Sequence, residues 1–221
     1  MQDEYSVDLY HHLQRARDQL DRDKHDGLFY AAFELRCGVE SRIQDYLNAR
    51  DDIAKKKKKG WKVAIAGKEL DKAFTDGLRI VELVIISQTT GEAVPFFHTP
   101  VGPELRAAIG SLGNLLHAQK ETIPSGSPWW GVTREFLEST FRMAGTLAQG
   151  TLLAPLLQSP TGQILMRAYY HNDNPIASAF HDGSPFIKGA KIEARVAYYN
   201  EMPAHAGPYL NDWKPPVTSR L

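Results

Sequence analysis

Apolar positions recur at helical spacing through the first part of the chain. Leu9, Leu13 and Leu20 alternate with Arg15, Arg17, Asp18 and Asp21, which predicts an amphipathic helix that begins at Ser6 and is punctuated by Asp26 and Gly27. The next segment, Leu28 to Ala49, is the most regular in the sequence. Leu28, Ala32, Leu35, Val39, Ile43 and Tyr46 fall at steps of three and four, so they form one stripe along a helix. Phe29 and Phe33 widen that stripe to nearly half the circumference, so this helix is expected to pack on more than one side. Arg36 and Glu40 stand one turn apart and are expected to pair along its flank.

Trp61, Ile65, Leu70 and Phe74 read as a shorter helix ending near Asp76 and Gly77. The period then changes. Arg79 to Ser87 is rich in Val and Ile, and Ala93 to His98 is aromatic and apolar; Gln88, Thr89, Thr90, Gly91 and Glu92 between them are turn residues, so a β-hairpin is expected over 79–98. Gly102, Pro103 and Glu104 open a further helix with the stripe Leu105, Ile109, Leu112 and Leu116, proline standing where its missing N–H does no harm. Thr133 is the expected cap of another, carrying Phe136, Leu137, Phe141, Ala144 and Leu147 and running to about Leu157. Ile164 to His171, Ile176 to His181 and Lys191 to Tyr199 read as strands. The last alternates, with Ile192, Ala194, Val196 and Tyr198 on one face and Lys191, Glu193 and Arg195 on the other, which predicts an antiparallel sheet with one wet face. The expected class is α+β: a four-to-five-helix bundle over 1–157 with the hairpin inserted at 79–98, a three-stranded antiparallel sheet over 158–203, and an extended Pro-rich tail over 204–221.

Charge changes this picture in one place. Residues 1–49 carry 6 Lys/Arg against 10 Asp/Glu, whereas residues 50–79 carry 10 against 5, centred on Lys55, Lys56, Lys57, Lys58 and Lys59. Adjacent like charges repel, so the run is expected to be solvated. Two readings stand: a wet loop or frayed helix end, and a contact for the phosphates of RNA or a nucleotide. The acidic start lacks the apolar run of a secretory signal, no stretch reaches the length of a membrane span, and the single cysteine suits a reducing compartment, so a cytoplasmic protein without a membrane partner is expected.

Candidate chemistry is sparse. Cys37 lies on the long helix, where it reads as a small buried hydrophobe rather than a nucleophile. His11 and His12 are adjacent and point to different sides of a helix. His171 with Asp173 and His181 with Asp182 read as turn polarity rather than a metal site. There is no His-Glu-x-x-His pattern, nucleophile elbow, Walker loop or dinucleotide fingerprint, and no cofactor is expected. What remains is Asn114 and His117, three residues apart on the helix that Pro103 opens, with Gly110 and Gly113 beside them to admit another helix or a ligand.

A polar helix, an Ala- and aromatic-rich helix (Leu28 to Arg36) and a later helix ending in Asn-x-x-His together resemble the HEPN superfamily over roughly residues 6–150. The resemblance implies an up-and-down helical bundle, frequently a homodimer, of a kind common in bacterial toxin–antitoxin and phage-defence systems. Active members are metal-independent ribonucleases that use paired Arg and His side chains. Their arginine precedes the histidine with four to six residues between, and for His117 those positions are Leu112, Ser111 and Gly110. Only His117, with Asn114 beside it, carries over. The expectation is a non-catalytic HEPN-like protein that binds RNA, a nucleotide or a protein partner; the alternatives are a ribonuclease with a displaced arginine and a scaffold that presents strand edges.

Overall fold

The structure, a computed structural model, describes residues 5–22, 24–50, 53, 54, 58, 78–117, 121–153, 157, 158, 164, 165 and 191–206. Those residues divide into a helical unit within 5–58 and 101–148 and a sheet unit within 78–100 and 149–206. The class is α+β, as the periodicities predict.

The helical unit holds α1 (Leu9–Asp21), α2 (His25–Asn48), α3 (Pro103–Leu116) and α4 (Trp129–Ala148). The stripe predicted on α2 is buried at every position, and α2 packs against each of the other three helices. Its widening does not follow the prediction. Phe29 turns to Trp129 and Trp130 of α4, while Phe33 stays largely exposed. Arg36 and Glu40 pair as expected, Nε to Oε1 at 2.9 Å.

Two helix starts differ from the sequence reading. Asp8, not Ser6, caps α1: its Oδ1 accepts from the His11 backbone N–H at 3.0 Å, while Ser6 Oγ donates to its Oδ2. On α4, Thr133 lies a turn inside the helix and is buried; Trp129 begins it, after Pro128, and the helix stops at Ala148. Pro103 opens α3 as predicted, with Gly102 as its N-cap. The expected helix over 61–74 lies outside the described residues.

Asp26 and Gly27, expected between helices, stand in the first turn of α2. The reason is packing. A Cβ on Gly27 would lie 2.6 Å from the carbonyl oxygen of Gln19, and one on Gly38 would lie 2.8 Å from the Cβ of His12 and 3.1 Å from Leu9 Cδ1. Position 27 meets the end of α1 and position 38 its beginning, so the two helices run antiparallel and close enough to exclude a methyl group at both places. On α4, Arg134 donates to the carbonyl of Leu20 at 2.6 Å and Arg17 reaches Glu138 Oε2 at 3.1 Å, which sets α4 antiparallel to α1.

The sheet unit contains the predicted hairpin, β1 (Ile80–Ser87) and β2 (Ala93–His98), closed by a turn in which Gly91 takes φ 76°. β3 (Leu157–Gln158) and β4 (Ile164–Leu165) are a short antiparallel pair. β5 (Ile192–Tyr199) was expected beside the two strands before it in a separate C-terminal sheet. It pairs antiparallel with β1 over eight residues instead, giving the order β2-β1-β5. Ile80, Val81 and Leu83 are apolar on both faces of β1, so that strand seeks a central place, and β5 supplies its second neighbour. The candidate strand Ile176 to His181 and the rest of Ile164 to His171 lie outside the described residues. The chain at 203–206 is not an extended tail: it turns, with Ala206 N–H donating to the Pro203 carbonyl at 2.9 Å, and buries Ala206 against Ile80 and Phe97.

The glycine contacts generate a paired prediction. Gly27→Ala sets a methyl against a backbone oxygen that cannot swing away, so it should destabilise the protein by about 1–3 kcal/mol. Gly110→Ala faces open space on α3 and should stabilise it, by up to about 1 kcal/mol, through helix propensity. Urea denaturation of the two variants checks both signs.

Candidate functional site

The two residues singled out on α3 both stand at its C-terminal end. Asn114 is exposed near the helix end, and His117 is its C-cap, exposed and extended at φ −81° and ψ 154°. The helix stops at Leu116, and His117 follows it directly. Of the two glycines beside them, Gly110 faces open space, while Gly113 is approached by Arg36 of α2, whose Nη1 lies 2.9 Å from where a Cβ would stand. An arginine therefore does come to this part of α3, from another helix rather than from positions 110 to 112. Of the lysine run, Lys58 is described: its Nζ donates to the carbonyl of Arg50, just past the end of α2, where carbonyls lack helical partners. Lys55, Lys56, Lys57 and Lys59 lie outside the described residues.

The polar cluster that the helical unit does assemble lies between α1 and α2. Glu34 Oε2 receives Arg15 Nε–H at 2.9 Å and lies 2.7 Å from His12 Nδ1; Arg15 Nη1 donates to the Ser6 carbonyl at 3.0 Å. Arg15 Nη2 also lies 2.9 Å from His12 Nδ1. One ring nitrogen cannot donate to a carboxylate and accept from a guanidinium at once. The shorter contact, to the anion, makes Nδ1 the donor, and Arg15 then lies beside the ring. The ring of Tyr5 covers the guanidinium at 4.4 Å. His12 is buried and Glu34 nearly so, so the cluster is a clamp that joins α1 to α2, with its ring nitrogen and carboxylate engaged.

A second histidine stands beside it, more open. His11 Nδ1 lies 2.7 Å from Asp8 Oδ2, the carboxylate that also caps α1. Burial alone would raise the Asp8 pKa, but the hydrogen bonds from Ser6 and the His11 amide, with the histidine contact, bring it down to about 2. Asp45 of α2 is pushed the other way, by burial first and by Asp8 as a like charge, with Arg42 opposing. Burial also raises the Cys37 thiol, helped by Glu40 and Glu34, which keeps it a neutral, half-buried group rather than a nucleophile.

The remaining feature of the helical unit is aromatic. The rings of His25 and Trp130 stack at 3.9 Å, Trp129 meets Trp130 edge-on at 4.8 Å, and Phe29 contacts both tryptophans. Trp130 Nε1–H donates to the Pro124 carbonyl at 2.8 Å, which holds the ring in place. In the sheet unit, Glu82 is buried in the middle of β1. Tyr199 donates to its Oε2 at 2.8 Å and His205 Nε2 lies 3.1 Å from its Oε1. The hydrogen bond to Glu82 raises the Tyr199 pKa, because a phenolate there would face a carboxylate.

Sequence reasoning passed over both buried clusters, yet each left a mark. His12 lies within the stripe of Leu9, Leu13, Ala16 and Leu20, and Glu82 interrupts a run of Val, Leu and Ile. A polar group in an apolar position demands a partner. His171, Asp173, His181 and Asp182 lie outside the described residues. Among the described residues no helix is long and apolar enough to cross a membrane.

Two measurements test this electrostatic account. Glu34→Ala strands a buried imidazole and a guanidinium, and should destabilise the protein by about 2–4 kcal/mol, less than a fully buried pair because Arg15 keeps some solvent. Asp8 has a folded pKa of about 2 against an ordinary 3.8, so its carboxylate adds stability that is complete above pH 4 and disappears as pH falls toward 2. Asp8→Asn keeps a good cap but loses that charge. The stability difference between wild type and Asp8→Asn should therefore shrink across that window, as followed by thermal denaturation at each pH.

Compared with protein-family models, with curated proteins and with solved structures, the chain matches none of them.

Proposed function

We propose that this chain is a non-catalytic, HEPN-like cytoplasmic protein that acts by binding a protein partner, as a homodimer within a defence or toxin–antitoxin module. The observation that carries the binding role is the aromatic face of the helical unit. Tyr30 and Phe33 on α2 are 60% and 48% exposed and Val132 on α4 is 66% exposed, beside the half-exposed rings of Phe29, Trp129 and Trp130. Large aromatic side chains held rigidly at a surface are the usual anchors of protein interfaces.

Charge supports a protein over RNA or a nucleotide at this face. Residues 1–49 have four more acidic than basic side chains, and Asp21 and Asp26 stand exposed beside the α1–α2 turn. The acidic excess over residues 1–49 favours apolar side chains flanked by Lys or Arg over phosphates. The engaged ring of His12, and the lack of arginine at 110, 111 and 112, support the non-catalytic half of the reading.

Panning a random peptide library against the purified chain tests it. The expected binders combine aromatic or aliphatic residues with Lys or Arg, and lose about tenfold or more in affinity to Phe33→Ser or Tyr30→Ser, substitutions at exposed sites. Binders indifferent to both changes, or no binders, would overturn the assignment of this face.

One contact favours a second reading, a metal-independent ribonuclease with a displaced arginine: Arg36 lies against Gly113, one turn ahead of His117. Incubating the protein with cellular RNA and a chelator decides between the two. No cleavage is expected; cleavage abolished by His117→Ala or Arg36→Ala would make the chain an enzyme. For Lys55 to Lys59, a gel-shift series across salt gives the answer, since binding through phosphates weakens steeply as salt rises and disappears when the run becomes Gln.

A further inference from the structure

We infer that the outer edge of β5 is a self-complementary pairing strand, along which two copies of this chain join antiparallel about Ala194. The inference does not rest on the aromatic face, since every residue it uses belongs to the sheet unit. Among the described residues β5 ends the sheet, with β1 on one side only. Its ladder to β1 has continuous register over eight residues, without a bulge, and the strand contains no proline. Among the described residues the usual devices that blunt an edge are therefore missing, apart from charges.

The phase of the ladder says which groups point away from β1. The Gln88 N–H donates to the Lys191 carbonyl at 2.8 Å, so Lys191 faces β1, and by alternation so do Glu193, Arg195, Ala197 and Tyr199. Ile192, Ala194, Val196 and Tyr198 then direct their backbone N–H and C=O groups outward. A two-fold axis between the Ala194 residues of two copies matches outward groups with outward groups. It sets Ala194 opposite Ala194, Ile192 opposite Val196, and Glu193 opposite Arg195, each unlike pair occurring twice.

Side chains favour the same register. Ile192 and Val196 are 50% and 42% exposed, and this pairing would cover each with the other. Glu193 and Arg195 already bond within the strand, Nε to Oε1 at 2.6 Å, and both are open to solvent. Across the axis the two strands would form a cluster of four alternating charges. Charges that deter a foreign strand thus admit a second copy, and moving the axis to Val196 would set Arg195 opposite Ala197 and lose the match. The product is one continuous sheet in the order β2-β1-β5-β5-β1-β2.

Sedimentation of the full chain over a concentration series tests the proposal, and a reversible dimer is expected. Glu193→Arg and Arg195→Glu alone each place like charges opposite one another twice, and should weaken the dimer about tenfold. Combined, they restore the unlike pairs and most of the affinity. In a Cys37→Ser background, Ala194→Cys should cross-link two copies under mild oxidation, and Ile192→Cys, whose counterpart lies across the strand at Val196, should not. These surface changes leave the β1 ladder intact. A chain that stays monomeric would overturn the proposal. So would a dimer indifferent to the charge reversals, or one that cross-links through 192 and not 194; such dimers use another surface.

Discussion

The approach of α1 to α2 is the constraint on which the helical unit depends. Two glycines on α2 let the backbones come close at both ends of the crossing, and nothing larger fits at either. At that separation the side chains between the helices have little room, so a polar group caught there must find its partner on the facing helix. His12 does, in Glu34, and Arg15 closes the arrangement from the rim. The close crossing and the ion cluster are two consequences of one spacing. The other helices then pack on what the pair leaves: α4 runs beside α1, held by Arg17 and Arg134, and α3 meets α2 where Arg36 lies over Gly113.

This explains how much of the fold was legible in the sequence. The stripe on α2, the hairpin with Gly91 at positive φ, Pro103 at a helix start and the Arg36–Glu40 pair all express local rules, which act within a few residues and leave a period behind. The misreadings share a different origin. Gly27 looks like a breaker until the carbonyl of Gln19 is seen beside it. Ser6 looks like the start of the helix until Asp8 is seen to take the cap, with the Ser6 hydroxyl donating to it. β5 has the alternation of a half-buried strand, but alternation does not name a neighbour, and a strand separated from β1 by more than a hundred residues was assigned to the nearest candidates in sequence instead. The site was less legible still: the clusters around Glu34 and Glu82 join residues far apart in sequence, which spacing along one element does not reveal.

The two units treat buried polar groups alike. Glu82 in β1 and Glu34 in α2 are carboxylates placed where apolar residues would pack as well, and each gathers a histidine together with a second donor, Tyr199 or Arg15. Apolar packing alone would tolerate several registers of similar energy. A carboxylate that loses its donors on slipping by one residue tolerates one. Tyr199 and His205 come from the end of β5 and the turn beyond it, so Glu82 ties the last described segment to the central strand and fixes the register of β5 on β1.

That fixed register gives the outer edge of β5 its meaning. Were β5 free to slide on β1, the residues with outward backbone groups would change from Ile192, Ala194, Val196 and Tyr198 to their neighbours, and the edge would present Glu193 and Arg195 in their place. A two-fold axis through Ala194 would then make hydrogen-bonded pairs of Glu193 with Arg195, rather than of Ala194 with itself and Ile192 with Val196. The buried hydrogen bonds of Glu82 on one face of the sheet thus decide which residues are offered at its rim. Glu82 thereby sets which backbone groups the proposed self-pairing would use.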